Sequence, residues 1–124
     1  MRKLFFILLI LIPTVVFALE KDYQIKWCNE MGGQSEVVLD DKSRVDCLLD
    51  KYAIEVEYAY KWKESIGQAL FYAIKTDRLP GILLIMDNTA GSTKNLERLK
   101  LVASHTWIKV WVVYPNFLDG IKER

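Results

Sequence analysis

Three acidic residues and the polar run behind them have the types and spacing of a hydrolytic metal site. In "YAIEVEY", Tyr52 to Tyr58, period-2 alternation sets Ala53, Glu55 and Glu57 on one face and Tyr52, Ile54, Val56 and Tyr58 on the other. The preceding "RVDCLL" reads as a partner strand. With Asp50-Lys51 as a two-residue hairpin loop, Leu49 opposes Tyr52 and Asp46 opposes Glu55, and cross-strand partners share a sheet face. Asp46, Glu55 and Glu57 are therefore expected on one patch. Like charges opposed across a sheet destabilise it. A hard cation such as Mg²⁺ or Mn²⁺ removes that cost by taking carboxylate oxygens. The plain alternative is a solvated acidic face paired with neighbours such as Arg44. A one-residue slip of the hairpin would also send Asp46 to the wrong face.

The next segment adds polar groups. From Lys61 to about Thr76 the period becomes helical, with Ile66, Leu70 and Ala73 available to pack on the sheet. Lys61, Glu64, Gln68 and Tyr72 follow at spacings of three and four and form a polar stripe. Lys63 points to the opposite side of an ideal helix from Lys61. Trp62 reads first as a packing residue, Lys75 and Arg78 as solvated surface, and His105 as a helix-end residue.

These residues must be positioned by a small set of elements. A helix from Glu20 to about Met31 is stopped by Gly32-Gly33. Strands follow at "SEVVL", "RVDCLL" and "YAIEVEY", with "DDKS" as a turn. After the second helix, Leu79-Pro80-Gly81 reads as a break. The fully apolar "ILLIM" suits a central strand covered on both faces. "STKNLERLKLVASH" suits a helix with a Ser or Thr N-cap, and "IKVWVVY" is a last strand. The order α-β-β-β-α-β-α-β predicts an α/β (α+β) domain, a mixed central sheet flanked by helices.

The 124 residues carry a net charge of +1, so no global basic field announces a nucleic-acid partner. Residues 1–18, "MRKLFFILLILIPTVVFA", have the basic start, apolar run and small-residue end of a signal peptide, leaving 19–124 as one domain. Export to the periplasm or medium is the expectation. An uncleaved anchor is the alternative, and this segment is the only expected contact with a membrane. Cys28 and Cys47 are either one disulfide or two buried thiols. Two cysteines and one histidine without a CxxC make zinc improbable.

Asp46, Glu55-Val56-Glu57 and Gln68-Ala69-Leu70-Phe71-Tyr72, in that order and spacing, resemble the PD-(D/E)XK nuclease superfamily, whose restriction-endonuclease-like core is αβββαβ. The resemblance runs from Glu30 to about Met86. It implies that Asp46 and Glu55 bind a Mg²⁺ or Mn²⁺ ion together with the Val56 carbonyl. It further implies that Gln68 and Tyr72 contact DNA or orient the site, that Glu30 is a supporting acid on the first helix, and that no small-molecule cofactor is needed. The family's lysine, two residues after the acid, is Glu57 here. Lys61 is the candidate for a migrated lysine and Lys63 the second. The function implied is metal-dependent hydrolysis of DNA phosphodiester bonds by an exported nuclease, with Asp46, Glu55, Glu57 and Lys61 as its catalytic set. The competing expectation is a catalytically silent exported domain that uses the same scaffold to bind a partner.

Overall fold

Two apolar patterns build the sheet. Alternating residues are buried on one face only, and continuous runs are buried on both. The computed structural model describes residues 19–120; the segment read as a signal peptide lies outside them. The elements are α1 (Glu20–Glu30), β1 (Gln34–Val38), β2 (Arg44–Leu48), β3 (Tyr52–Tyr58), α2 (Trp62–Thr76), β4 (Leu79–Ile85), α3 (Ala90–Thr106) and β5 (Lys109–Val113). One-turn 3-10 helices follow β3 at Ala59–Lys61 and β5 at Pro115–Leu118. The strands lie in sequence order, with β1-β2 and β2-β3 antiparallel and β3-β4 and β4-β5 parallel. The domain is thus of the α/β class, a mixed five-stranded sheet flanked by helices. No helix among the described residues is long and apolar enough to cross a membrane.

The sheet is covered on both sides, and its central strands supply both cores. On one face Tyr23, Trp27 and Cys28 of α1 pack over Cys47, Ile54, Val56, Leu83 and Ile85. On the other, Ala69 of α2 and Leu96 and Leu99 of α3 cover Ile82 and Leu84. The apolar run of β4 is buried throughout because every second residue serves a different core.

The ends of the elements show where local chemistry decides. Gly32, at φ +72°, ends α1, and the Gly33 N–H donates to the Cys28 carbonyl at 2.9 Å. Thr89 caps α3 by accepting from the Ser92 N–H at 3.2 Å. The expected break at Leu79-Pro80-Gly81 is corrected: α2 stops at Asp77, which adopts the left-handed conformation, and Pro80 and Gly81 belong to β4. Proline is tolerated there because β5 joins β4 only from Gly81 onward, so Pro80 sits where one side of the strand has no partner. Gly81 itself leaves no room for a side chain between Ile54 and Trp111.

Cys28 and Cys47 form a disulfide that ties α1 to β2 with Cα atoms 5.7 Å apart. Both are fully buried. The link spans 19 residues, a loop whose closure should stabilise by about 3 kcal/mol. Reduction, or Cys47→Ser, is therefore expected to lower unfolding stability by about 2–4 kcal/mol in a urea titration read by tryptophan fluorescence. An unchanged midpoint would show that packing alone holds α1 on the sheet.

Candidate active site

The site is made where β2 leaves β3. Their hairpin has the expected register, with Leu48 opposite Ala53, Cys47 opposite Ile54, and the Leu49 N–H donating to the Tyr52 carbonyl at 2.9 Å. The ladder then stops. The expected Asp46–Glu55 ladder pair is corrected, because the Val56 N–H donates to the Asp46 side chain, Oδ2, at 2.8 Å. The Asp46 carbonyl is turned the other way and accepts from Gln24 Nε2 of α1 at 2.9 Å. Glu36 of β1, between the pairs Ser35–Cys47 and Val37–Val45, stands at φ +55°, a conformation an L-residue adopts only when its surroundings enforce it. Alternation breaks at the same point: Cys47 serves the α1 core, whereas Val45 and Leu48 both pack on the α2 side near Tyr72. β3 meanwhile runs on beside β4 to Tyr58. A notch opens between the diverging strands, with Asp46 on one wall and Glu55 and Glu57 on the other.

Four carboxyl groups occupy this notch, and one was not anticipated. Glu55 and Glu57 are buried, and Asp46 is half-buried. Glu20, in the first turn of α1, comes over to Glu57. Burial raises the Glu55 pKa to about 10, helped by the Asp46 charge, by a hydrogen bond with Asp46, and by the charges of Glu57 and Glu20. Burial likewise raises Glu20 to about 8, together with the charge of Glu57 and a hydrogen bond to it. Asp46 is also raised by burial, against the opposing pull of the Val56 N–H and the Glu55 hydrogen bond. At neutral pH the metal-free cluster is two acid pairs, Glu55 donating a proton to Asp46 and Glu20 donating one to Glu57. Apart from that shared proton, the buried Glu55 Oε2 has no donor.

The remaining expected residues divide. Tyr72 is buried beside Val45 and Ala53, near enough to Glu55 and Asp46 for their charges to raise its hydroxyl pKa after burial does. Its hydroxyl makes a long contact of 3.5 Å to Gln68 Oε1, which is exposed with Glu64. Lys61, at the N-cap of α2, lies close enough to Glu20 to favour that residue's ionised form. Lys63 is exposed, with Nζ 5.6 Å from the Trp62 ring centroid, and joins none of the acids. Trp62 packs in the core under α2 and α3. Glu30 is corrected outright: it lies in the last turn of α1, paired with Lys26 at 2.6 Å, at the far end of the helix from the notch. The helix acid is Glu20. Its signal was readable, since Glu20, Gln24 and Cys28 step by four along the face that meets the sheet.

Among the described residues no group of three or more His, Cys, Asp or Glu already stands in a metal-ligand arrangement. The chemistry of the donors, oxygen-only and including the buried Glu55 Oε2 without a hydrogen-bond partner, is of the kind a hard divalent cation takes.

Comparison with known proteins adds little. No family model matches, and no solved structure matches. A protein of Acanthamoeba polyphaga mimivirus, named for a KilA-N domain, is 38% identical over 55 residues, which is 44% of this chain and 22% of that protein. The chain thus spans about a fifth of that relative's length, and the likeness assigns no family.

The acid pairs fix the pH dependence. Because the folded pKa values of Glu55 and Glu20 lie above the ordinary carboxylate value of 4.5, the folded protein holds protons that the unfolded chain releases. Their stabilisation is complete below about pH 4.5 and is lost as pH rises through about 8 and then about 10. In EDTA, the melting temperature is expected to fall from about pH 5 to about pH 9. Glu55→Gln should flatten that slope and raise the melting temperature at the alkaline end. A melting temperature that climbs across this range in EDTA would contradict the acid pairing.

Proposed function

We propose that this chain is a metal-dependent nuclease that hydrolyses DNA phosphodiester bonds, with Mg²⁺ or Mn²⁺ held by Asp46 and Glu55 and the carbonyl of Val56. The observation that carries the reading is the convergence of Asp46 and Glu20 with the buried Glu55 and Glu57, none of the four in an ion pair among the described residues. A protein that needed these positions only for folding would be more stable with amides or apolar side chains. The αβββαβ order and the placement of Asp46 at the end of the β2-β3 ladder agree with the nuclease resemblance.

A divalent cation supplies charge neutralisation at a phosphate and lowers the pKa of a water. The chain's own residues do the rest. Ionised Asp46 and Glu55 attract the cation only after Glu55 releases its proton, so binding favours higher pH. Glu57, hydrogen-bonded to Glu20, orients the attacking water and accepts its proton. Lys61 faces the phosphate as a point charge. Tyr72 and Gln68 close the α2 side of the notch.

A second reading has its own support. Glu57 stands where the family keeps a lysine, and Lys61 makes no ion pair with the acids among the described residues. On that reading the domain is catalytically silent and binds a partner through the same notch. Linear and supercoiled DNA incubated with Mg²⁺, with Mn²⁺ and with EDTA separates the two. The nuclease reading expects metal-dependent cleavage, lowered at least about 100-fold by Asp46→Ala or Glu55→Ala and about 10-fold or more by Lys61→Ala. No cleavage with either metal, and no metal-induced rise in melting temperature, would decide for the binding domain.

A further inference from the structure

Directly beyond Glu57 the chain turns through Tyr58-Ala59-Tyr60-Lys61 into α2, and this turn carries an aromatic surface the hydrolytic site does not use. Tyr60 is 70% exposed. Its ring lies against Tyr58, with centroids 5.7 Å apart and planes 18° from parallel. Tyr58 is half-buried, its ring joined to the apolar core under α1, so the outer ring is backed by a fixed one. Beside them is a pocket of about 200 Å³ lined by Tyr23, Tyr58, Tyr60, Met86 and Pro115 among others. Lys61 Nζ is 5.7 Å from the Tyr60 ring centroid. A large ring exposed on a one-turn connection contributes little to folding. Three residues from one buried acid and one from the candidate lysine, its position suits a ligand with both a flat apolar face and a phosphate.

We propose that the Tyr58–Tyr60 stack is a nucleobase platform, so that the substrate is a nucleic acid presenting an unpaired base next to the cleaved phosphate: single-stranded DNA, or a frayed end. The inference rests on the nuclease reading and narrows it. Aromatic rings bind any base by its π-face, with little sequence preference. In a duplex those faces are covered by neighbouring bases, so a side-chain platform on the protein surface reaches only bases that have left the stack. Lys61 then meets the phosphate attached to the stacked nucleotide while the base lies on Tyr60.

The test uses residues 19–124 with a fluorescent oligothymidylate and a blunt duplex of equal length, reading anisotropy and cleavage in the same Mg²⁺ samples. Tyr60→Ala is expected to weaken oligothymidylate binding about 10-fold or more and leave duplex binding unchanged, while Tyr60→Trp keeps single-strand binding. Trp107, 86% exposed at the end of α3 and away from the acids, is the control, and Trp107→Ala should change neither. If Tyr60→Ala changes neither substrate, or both equally, the platform is overturned while Asp46-dependent cleavage still supports the nuclease. Loss of single-strand binding in Tyr60→Ala without cleavage by the wild type supports the platform and removes the nuclease. No cleavage and no binding of either DNA by the wild type overturns both.

Discussion

The hydrogen bond from the Val56 N–H to the Asp46 carboxylate is the interaction on which the rest of the site depends. It replaces what would have been the next rung of the β2-β3 ladder. A side-chain acceptor satisfies the backbone donor, so the strands separate without leaving a buried N–H unpaired. The Asp46 carbonyl accepts from Gln24, which anchors α1 to the point of divergence. The disulfide at the adjacent Cys47 fixes α1 covalently at almost the same place. Glu20 then enters the notch because α1 is held there, one turn before Gln24. The left-handed Glu36 on β1 is the counterpart of that divergence on its other side.

That geometry concentrates negative charge where water is largely excluded, and the energetic consequence is a pair of shared protons. Burial dominates the shifts at Glu55 and Glu20, with carboxyl neighbours adding to it. Such a cluster is unfavourable to a fold as such, since desolvated carboxylates repel. The surrounding structure tolerates it because two well-packed cores and a disulfide hold the sheet rigid. Sites that work against stability in this way are where function is to be sought.

Much of this was legible in the sequence, for reasons that differ by residue. The element order followed from hydrophobic period and from Gly32-Gly33, and the hairpin register from the two-residue loop. Asp46, Glu55 and Glu57 were brought together by that register. The ladder break at Asp46 was not legible, because alternation assumes that backbone pairing continues until a turn, whereas a side chain ended it. The burial of Tyr72 was not legible either: helical spacing groups it with Lys61 and Gln68, whereas its ring packs beside Val45 and Ala53. Glu30 follows only from the family resemblance, whereas the helical steps back from Cys28 through Gln24 lead to Glu20. The strand role of Pro80 was hidden because its tolerance depends on where β5 begins, a tertiary fact.

The central claim is that the Asp46–Glu55 acid pair is a divalent-cation site held closed by the Glu55 proton. Titration calorimetry of Mn²⁺ at neutral pH, in buffers of different ionisation enthalpy, tests it most directly. The account predicts saturable binding accompanied by net proton release, with both lost in Asp46→Asn and the release reduced in Glu55→Gln. Absence of Mn²⁺ binding, or binding that releases no protons and survives Asp46→Asn, would contradict it.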